Sequence, residues 1–151
     1  LQHGAKHVTA VDVGYGQFDW SLRNDPRVEV IERTNIRNLE AGALPHPVDL
    51  ACIDVSFISL KIVVPVVSKL IKQPGQMICL IKPQFELLRE EVGKGGIVRD
   101  PALHRKAVDK IHDFTINELS KDWRGVVESP ISGADGNIEY LAWLKHLAPS
   151  D

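Results

Sequence analysis

Residue types that bind a sugar or move a proton recur where apolar runs of this chain end. Asp12 stands near the close of HVTAVDV, Thr34 and Asn35 follow VEVI, Asp54 with Ser56 follows VDLACI, and Lys82 with Gln84 follows MICLI. In open α/β sheets, ligands bind in the crevice beyond the carboxyl ends of the strands, so these positions are the first places to look for chemistry. A carboxylate at Asp12 suits the hydrogen bonds of a ribose diol; the same residue also suits the opening of a Gly14–Gly16 turn. Asp54 and Lys82 end successive apolar runs, which would set an ammonium beside a carboxylate in one cleft. The alternative for this pair is a helix cap at Asp54 and a snorkelling strand-end lysine.

Several common chemistries are excluded by spacing. Gly14 and Gly16 begin a GxG, but Asp19 takes the place of the third glycine of the dinucleotide fingerprint. Gly93-Lys94-Gly95-Gly96 lacks the spacing of a phosphate-binding P-loop. His3 and His7 have no accompanying Cys/His pattern and read as surface histidines, so no metal is expected. No GxSxG elbow or cysteine–histidine motif offers a hydrolytic nucleophile.

The elements that must position these residues follow from periodicity and punctuation. His7 to Val13, Val28 to Ile31, Val48 to Val55, Met77 to Ile81, Val126 to Ile131 and Ile138 to Leu147 read as strands. The third is apolar almost throughout, as expected of a strand covered on both faces. Phe18 to Asn24 reads as a helix stopped at Asp25-Pro26, Leu39 to Leu44 as a short helical or turn stretch, and Leu60 to Ile71 as a helix with Pro65 in its first turn. Asp100-Pro101 is an N-cap followed by an N1 proline, and Leu103, Ala107, Ile111 and Phe114 continue as an apolar helical stripe to about Leu119. Gln84 to Arg99, with Gly93, Gly95 and Gly96, reads as a long mobile loop. Strands alternating with helices imply a mostly parallel sheet with helices on both faces, and the last two strands, joined by SGADGN, imply an antiparallel pair at one edge.

Composition sets the outer bounds. With 151 residues, 44% hydrophobic and 25% charged, the chain has the make-up of one globular domain. No run of about 18 apolar residues marks a membrane span. Eighteen Lys+Arg against 20 Asp+Glu give −2, so any polyanion-binding surface must be local. Such a surface is visible between Gly93 and Lys110, where Lys94, Arg99, Arg105, Lys106 and Lys110 face only Asp100 and Asp109. A phosphate-contacting patch and a solvated helix face both fit that run. Cys52 and Cys79 lie inside apolar runs, where thiols behave as buried hydrophobes; this points to a reducing compartment, the cytoplasm.

Six segments in order, HGAKHVTAVDVGYGQFDW, ERTNIRNL, DLACIDVSFISL, LIKPQFE, VGKGGIVRDP and SPISGADGNIEYLAWL, strongly resemble the TlyA-type family of hemolysin-like, FtsJ-like 2′-O-ribose RNA methyltransferases. The resemblance implies a class I S-adenosylmethionine-dependent methyltransferase fold over 1–151, Rossmann-like, without the first strand, the glycine-rich cofactor loop and the N-terminal S4-like domain usual in the family. It implies S-adenosyl-L-methionine as cofactor and ribosomal RNA or ribosomal subunits as partner, with no stable membrane association. Carried over by position, Asp12 and Val13 match the ribose-binding end of the cofactor site, Asn35 and Ile36 the adenine contacts, and Asp54, Lys82 and Glu139 the last three members of a Lys-Asp-Lys-Glu catalytic set. A ribose 2′-hydroxyl becomes a nucleophile when its proton is removed, and methyl transfer then needs in-line positioning. A lysine serves as that base only when neutral, and a neighbouring aspartate favours the charged form, which leaves orientation of Lys82 as the part for Asp54. Two other functions stay open at this level: a membrane-active hemolysin, and an RNA-binding module without catalysis.

Overall fold

The computed structural model describes residues 1–147. Chain order is β1 (Val8–Val11), α1 (Trp20–Arg23), β2 (Val28–Ile31), β3 (Val48–Ile53), α2 (Leu60–Leu70), β4 (Ile71–Ile81), α3 (Pro83–Glu86), α4 (Pro101–Asn117), β5 (Asp122–Glu128) and β6 (Tyr140–His146). The strands form two sheets, a parallel β1-β2 pair and a four-stranded sheet ordered β3-β4-β6-β5. Within the larger sheet β3 and β4 run parallel, while β6 is antiparallel to both β4 and β5. The antiparallel pair at one edge is therefore as expected from the short SGADGN connection. A single continuous sheet is not: β1 and β3 each keep one edge without a strand partner among the described residues.

The core is one-sided. Ile53, Met77, Cys79, Ile81, Ala142 and Leu144 point from the four-stranded sheet into a cluster closed by α2 and α4. Leu60, Val63, Val64 and Val67 recur at helical spacing and form the buried stripe of α2; Ile111 supplies the matching contact from α4. The opposite sheet face carries Leu50, Cys52, Val127 and Trp143, all exposed. This corrects the reading of β3 as covered on both faces and of Cys52 as buried. Alternation of side chains along a strand sends Ile53 inward and Cys52 outward, whatever the hydropathy of the run.

Pro65 also departs from expectation. It lies in the second turn of α2 instead of the first, so its missing N–H leaves the Lys61 carbonyl without its helical donor. The surrounding valines compensate by burial, Val63 and Val64 being almost wholly inaccessible. β5 starts earlier than Val126 and ends before Ile131, because Trp123 packs on the core and a register irregularity between Trp123 and Gly125 lets the strand begin at Asp122. Ile131 is exposed beyond its end.

Candidate active site

The parallel register Ile53↔Cys79 places the ends of β3 and β4 on the same edge of the sheet. Asp54 leaves β3 and Lys82 leaves β4 there, and their side chains meet, with Lys82 Nζ 2.7 Å from Asp54 Oδ1. A second hydrogen bond runs from Lys82 Nζ to Ser56 Oγ at 3.2 Å. The Lys82 side chain is 13% exposed and that of Asp54 71%, so the cation is sunk into the fold while the carboxylate looks outward. An ion pair with so exposed a partner contributes only about 0–1 kcal/mol to stability.

Glu139 approaches from the other neighbour of β4. The antiparallel register pairs Ile81 with Tyr140, and continuing it by one residue sets Glu139 opposite Lys82. Directly opposed residues of such a ladder hold their Cβ atoms about 4.5–5.5 Å apart on one face. Glu139 is 6% exposed, and among the described residues its carboxylate has no hydrogen-bond or ion-pair partner, Lys82 included. It lies over Gly133, where a Cβ would come 2.1 Å from Glu139 Oε1. Asp54 and Lys82 are thus in contact, and Glu139 shares their edge without touching Lys82.

Three residues of this edge carried no signal in the sequence reading. Phe57 is 91% exposed with φ 61°, a left-handed conformation rare for an aromatic residue and typical of functional loops. Its ring rests at 5.0 Å from that of Phe85. Glu86 is buried and caps α2 from a distance, accepting from Leu60 N at 2.8 Å and from Ser59 Oγ at 2.5 Å. Burial raises its carboxyl above the usual range, while these two donors pull the other way. The available cue was a repeated interval: Phe57 follows Asp54 as Phe85 follows Lys82, by three residues.

The smaller sheet presents a second set of polar ends. Asp12 Oδ1 accepts from Gly14 N at 2.7 Å, so one carboxylate oxygen opens the turn, and the other has no protein partner among the described residues. Val13 is exposed beside it. Asn35 Oδ1 accepts from Arg37 N at 3.0 Å and caps the 3-10 turn Ile36–Asn38, and Ile36 packs against the core cluster. Arg33, at φ 53°, stacks over Tyr15 at 4.0 Å. Glu32 accepts from Arg23 at 2.8 Å and from Gly16 N at 2.8 Å, and the Arg23 hydrogen bond holds its carboxyl below the ordinary range. A free carboxylate oxygen next to exposed apolar surface suits a ribose with an attached ring.

Three kinds of likeness to known proteins bear on this geometry. The family model described as FtsJ-like methyltransferase matches residues 1–146. This chain belongs to the FtsJ-like methyltransferase family. It is 47% identical over 145 residues to the 16S/23S rRNA (cytidine-2'-O)-methyltransferase TlyA of Mycobacterium tuberculosis, a match covering 96% of this chain and 54% of that protein. A solved structure from Streptococcus thermophilus, described as a hemolysin, superposes with TM-score 0.93 at 42% identity over 98% of this chain and 54% of that one. The N-methyltransferase NodS of Bradyrhizobium japonicum, in complex with S-adenosyl-l-homocysteine, superposes with TM-score 0.59 at 15% identity over 93% of this chain and 67% of that one, which bears on the fold alone. The fold is that of class I S-adenosylmethionine-dependent methyltransferases. The chain spans about half the length of the curated relatives it matches, 54% of the M. tuberculosis protein.

In this FtsJ-like domain the segment after Lys82 is more structured than a mobile loop. It contains α3 and a 3-10 turn at Lys94–Gly96. Val98 is buried, its N–H donating to Asn137 Oδ1 at 3.0 Å and its carbonyl accepting from His104 Nε2 at 2.8 Å. With Nε2 so engaged, His104 Nδ1 accepts from the Tyr140 hydroxyl at 3.1 Å. Glycine content marked flexibility in the sequence, but Gly95 and Gly96 have positive φ and serve the tight turn. Of the cations on this segment, Lys106 pairs with Glu91 and Lys110 donates to the Glu86 carbonyl. Lys94, Arg99 and Arg105 are exposed and make no ion pair among the described residues.

Proposed function

We propose that this chain carries the catalytic part of an S-adenosylmethionine-dependent 2′-O-ribose methyltransferase acting on ribosomal RNA, alone or in ribosomal subunits. The contact between Lys82 and Asp54, with Glu139 opposite Lys82, carries the reading. A half-buried lysine fixed by an outward-facing carboxylate and a serine at a strand-end crevice is a poor stabilising device and a good positioning one.

The residues at the ends of β1 and β2 suit the adenosyl half of the cofactor: the free oxygen of Asp12 takes a ribose hydroxyl, while Val13, Asn35 and Ile36 border the base. When bound, S-adenosylmethionine supplies an electrophilic methyl group. On the chain's side, Lys82 Nζ in its neutral amine form takes the proton of the attacking 2′-hydroxyl and becomes the ammonium that Asp54 holds. Asp54 and Ser56 orient that nitrogen, and Glu139 accepts a hydrogen bond from the sugar or the ammonium. Phe57 offers a stacking face for an unstacked base, the usual way in which single-stranded RNA is held. Lys94, Arg99 and Arg105 contact the phosphates.

Transfer of a labelled methyl group from S-adenosylmethionine to ribosomal RNA, with the product digested to nucleosides, tests the reading. The expected product is a 2′-O-methylated nucleoside. RNA binding without methyl transfer would support the non-catalytic module instead, and leakage of liposomes would support the hemolysin. Among the described residues no helix is long and apolar enough to cross a membrane.

A further inference from the structure

The catalytic edge is built from two separate loops, and one buried carboxylate ties them together. The loop after β3 carries Asp54, Ser56 and Phe57 and ends at Ser59, the N-cap of α2. The segment after β4 carries Lys82 and Phe85 and ends at Glu86 in α3. Contacts join the two at three levels. At the tip Lys82 meets Asp54 and Ser56; midway the rings of Phe57 and Phe85 meet; at the base Glu86 meets Ser59 and Leu60. Only the base contact is buried, Glu86 being 2% exposed. Both oxygens of its carboxylate are used on α2: Oε1 accepts from Leu60 N, and Oε2 accepts from the Ser59 hydroxyl, whose oxygen in turn accepts from Lys61 N at 3.1 Å. The 11-residue helix α2 directs its positive end at this anion. On the far side Lys110 donates to the Glu86 backbone carbonyl, fixing α3 against α4 as well.

From this arrangement we propose that Glu86 is a positioning residue for the Lys82–Asp54 pair, holding the loop after β3 and the segment after β4 in the register at which Lys82 Nζ reaches Asp54. The inference rests on the proposed function for its catalytic consequence, but its geometric content stands on the chain alone. Lys82 and Glu86 are joined by one short helical turn, so a shift at Glu86 is passed to Lys82 with little slack. A surface carboxylate would do none of this; a buried one with two donors on a helix end fixes a distance.

The test compares Glu86→Ala, Glu86→Gln and Ser59→Ala with the unaltered protein. Glutamine keeps an acceptor for Leu60 N and, with its amide donating to Ser59 Oγ, can rebuild both bonds. The first measurement is trace acetylation with acetic anhydride, read by mass spectrometry as labelling of Lys82 relative to the more exposed Lys72. Glu86→Ala is expected to raise that ratio several-fold, Ser59→Ala to raise it less, and Glu86→Gln to leave it near the starting value. The second is single-turnover methyl transfer, expected to fall about tenfold to hundredfold in Glu86→Ala with cofactor and RNA affinity unchanged, as for a misplaced catalytic group. Glu86→Gln should restore most of that loss. If Glu86→Ala does not fold, Ser59→Ala and Glu86→Gln carry the comparison. An unchanged labelling ratio in folded Glu86→Ala, or in Ser59→Ala where it stands in, overturns the proposal, as does a rate loss that glutamine fails to rescue. Failure of the unaltered protein to transfer methyl groups overturns the proposed function instead, and leaves the labelling result to decide the clamp.

Discussion

Replacing Lys82 by arginine separates base catalysis from simple charge. The substitution keeps a cation at the end of β4 but installs a guanidinium that stays protonated and cannot take the 2′-hydroxyl proton. Because Asp54 is 71% exposed, the pair contributes only about 0–1 kcal/mol to stability. At about 2–4 °C per kcal/mol for a domain of this size, the melting temperature should move by a few degrees at most. A positioned base contributes about 10²–10⁴ in rate. That corresponds to about 2.7–5.4 kcal/mol of barrier at 1.36 kcal/mol per tenfold. The two effects therefore differ severalfold in free energy, and both are measurable on the same sample. Single-turnover transfer of a labelled methyl group to ribosomal RNA, with melting followed by circular dichroism, is the assay. Lys82→Arg and Lys82→Ala should both lose transfer while remaining folded and binding RNA, and Asp54→Asn should lose less. Transfer by Lys82→Arg at close to the original rate would refute the general-base role and leave Lys82 as a positioning cation.

Gly133→Ala should displace the Glu139 carboxylate, since the added Cβ would lie 2.1 Å from Oε1 in a buried site; the expected result is loss of methyl transfer by about tenfold or more with RNA affinity retained. His146 is held below its ordinary value by burial and by the charge of Lys121, so below about pH 6.5 the unfolded chain binds more protons than the folded one. Urea unfolding should show stability falling as pH drops through that value and levelling off above it, and His146→Gln should flatten the slope. The Cys79 thiol is pushed up to about 12 by burial, whereas Cys52 is exposed. A thiol reagent at pH 8 should therefore label Cys52 in the native protein and reach Cys79 only on unfolding, as counted by mass spectrometry.

Sequence signals are legible where they act locally. Asp100-Pro101 does start α4, with Asp100 Oδ1 accepting from Ala102 N at 2.8 Å, and the Leu60, Val63, Val64, Val67 stripe does make α2. The meeting of Asp54 and Lys82 is legible in the sequence because each follows an apolar strand, and parallel strands put their carboxyl ends on one edge. What escaped depends on long-range placement. Hydropathy alone cannot say that Cys52 faces outward, or that β1 and β3 lie in different sheets, because strand neighbours are set by contacts distant in sequence. Glu86 and Phe57 escaped for a different reason. A glutamate in a polar stretch and a phenylalanine in an apolar one look ordinary, and only the fold reveals that the glutamate is buried and the phenylalanine exposed.

The ladder between β4 and β6 makes the site tolerant in one dimension and intolerant in another. Lys82 and Glu139 face each other because the pairing of Ile81 with Tyr140 fixes them, irrespective of how the chain travels between. Insertions in the exposed stretch around Arg89 or at the Lys94–Gly96 turn can lengthen that excursion and leave the opposition of lysine and glutamate as it is. A slip of the whole of β6 by one residue against β4 has the opposite effect. Side chains alternate with a period of two, so a slip of one would turn Glu139 away from Lys82 and drive Ala142 and Leu144 out of the core at the same moment. Loss of the glutamate by slippage would thus be detected first as unfolding, which ties the placement of Glu139 opposite Lys82 to the integrity of the sheet beneath it.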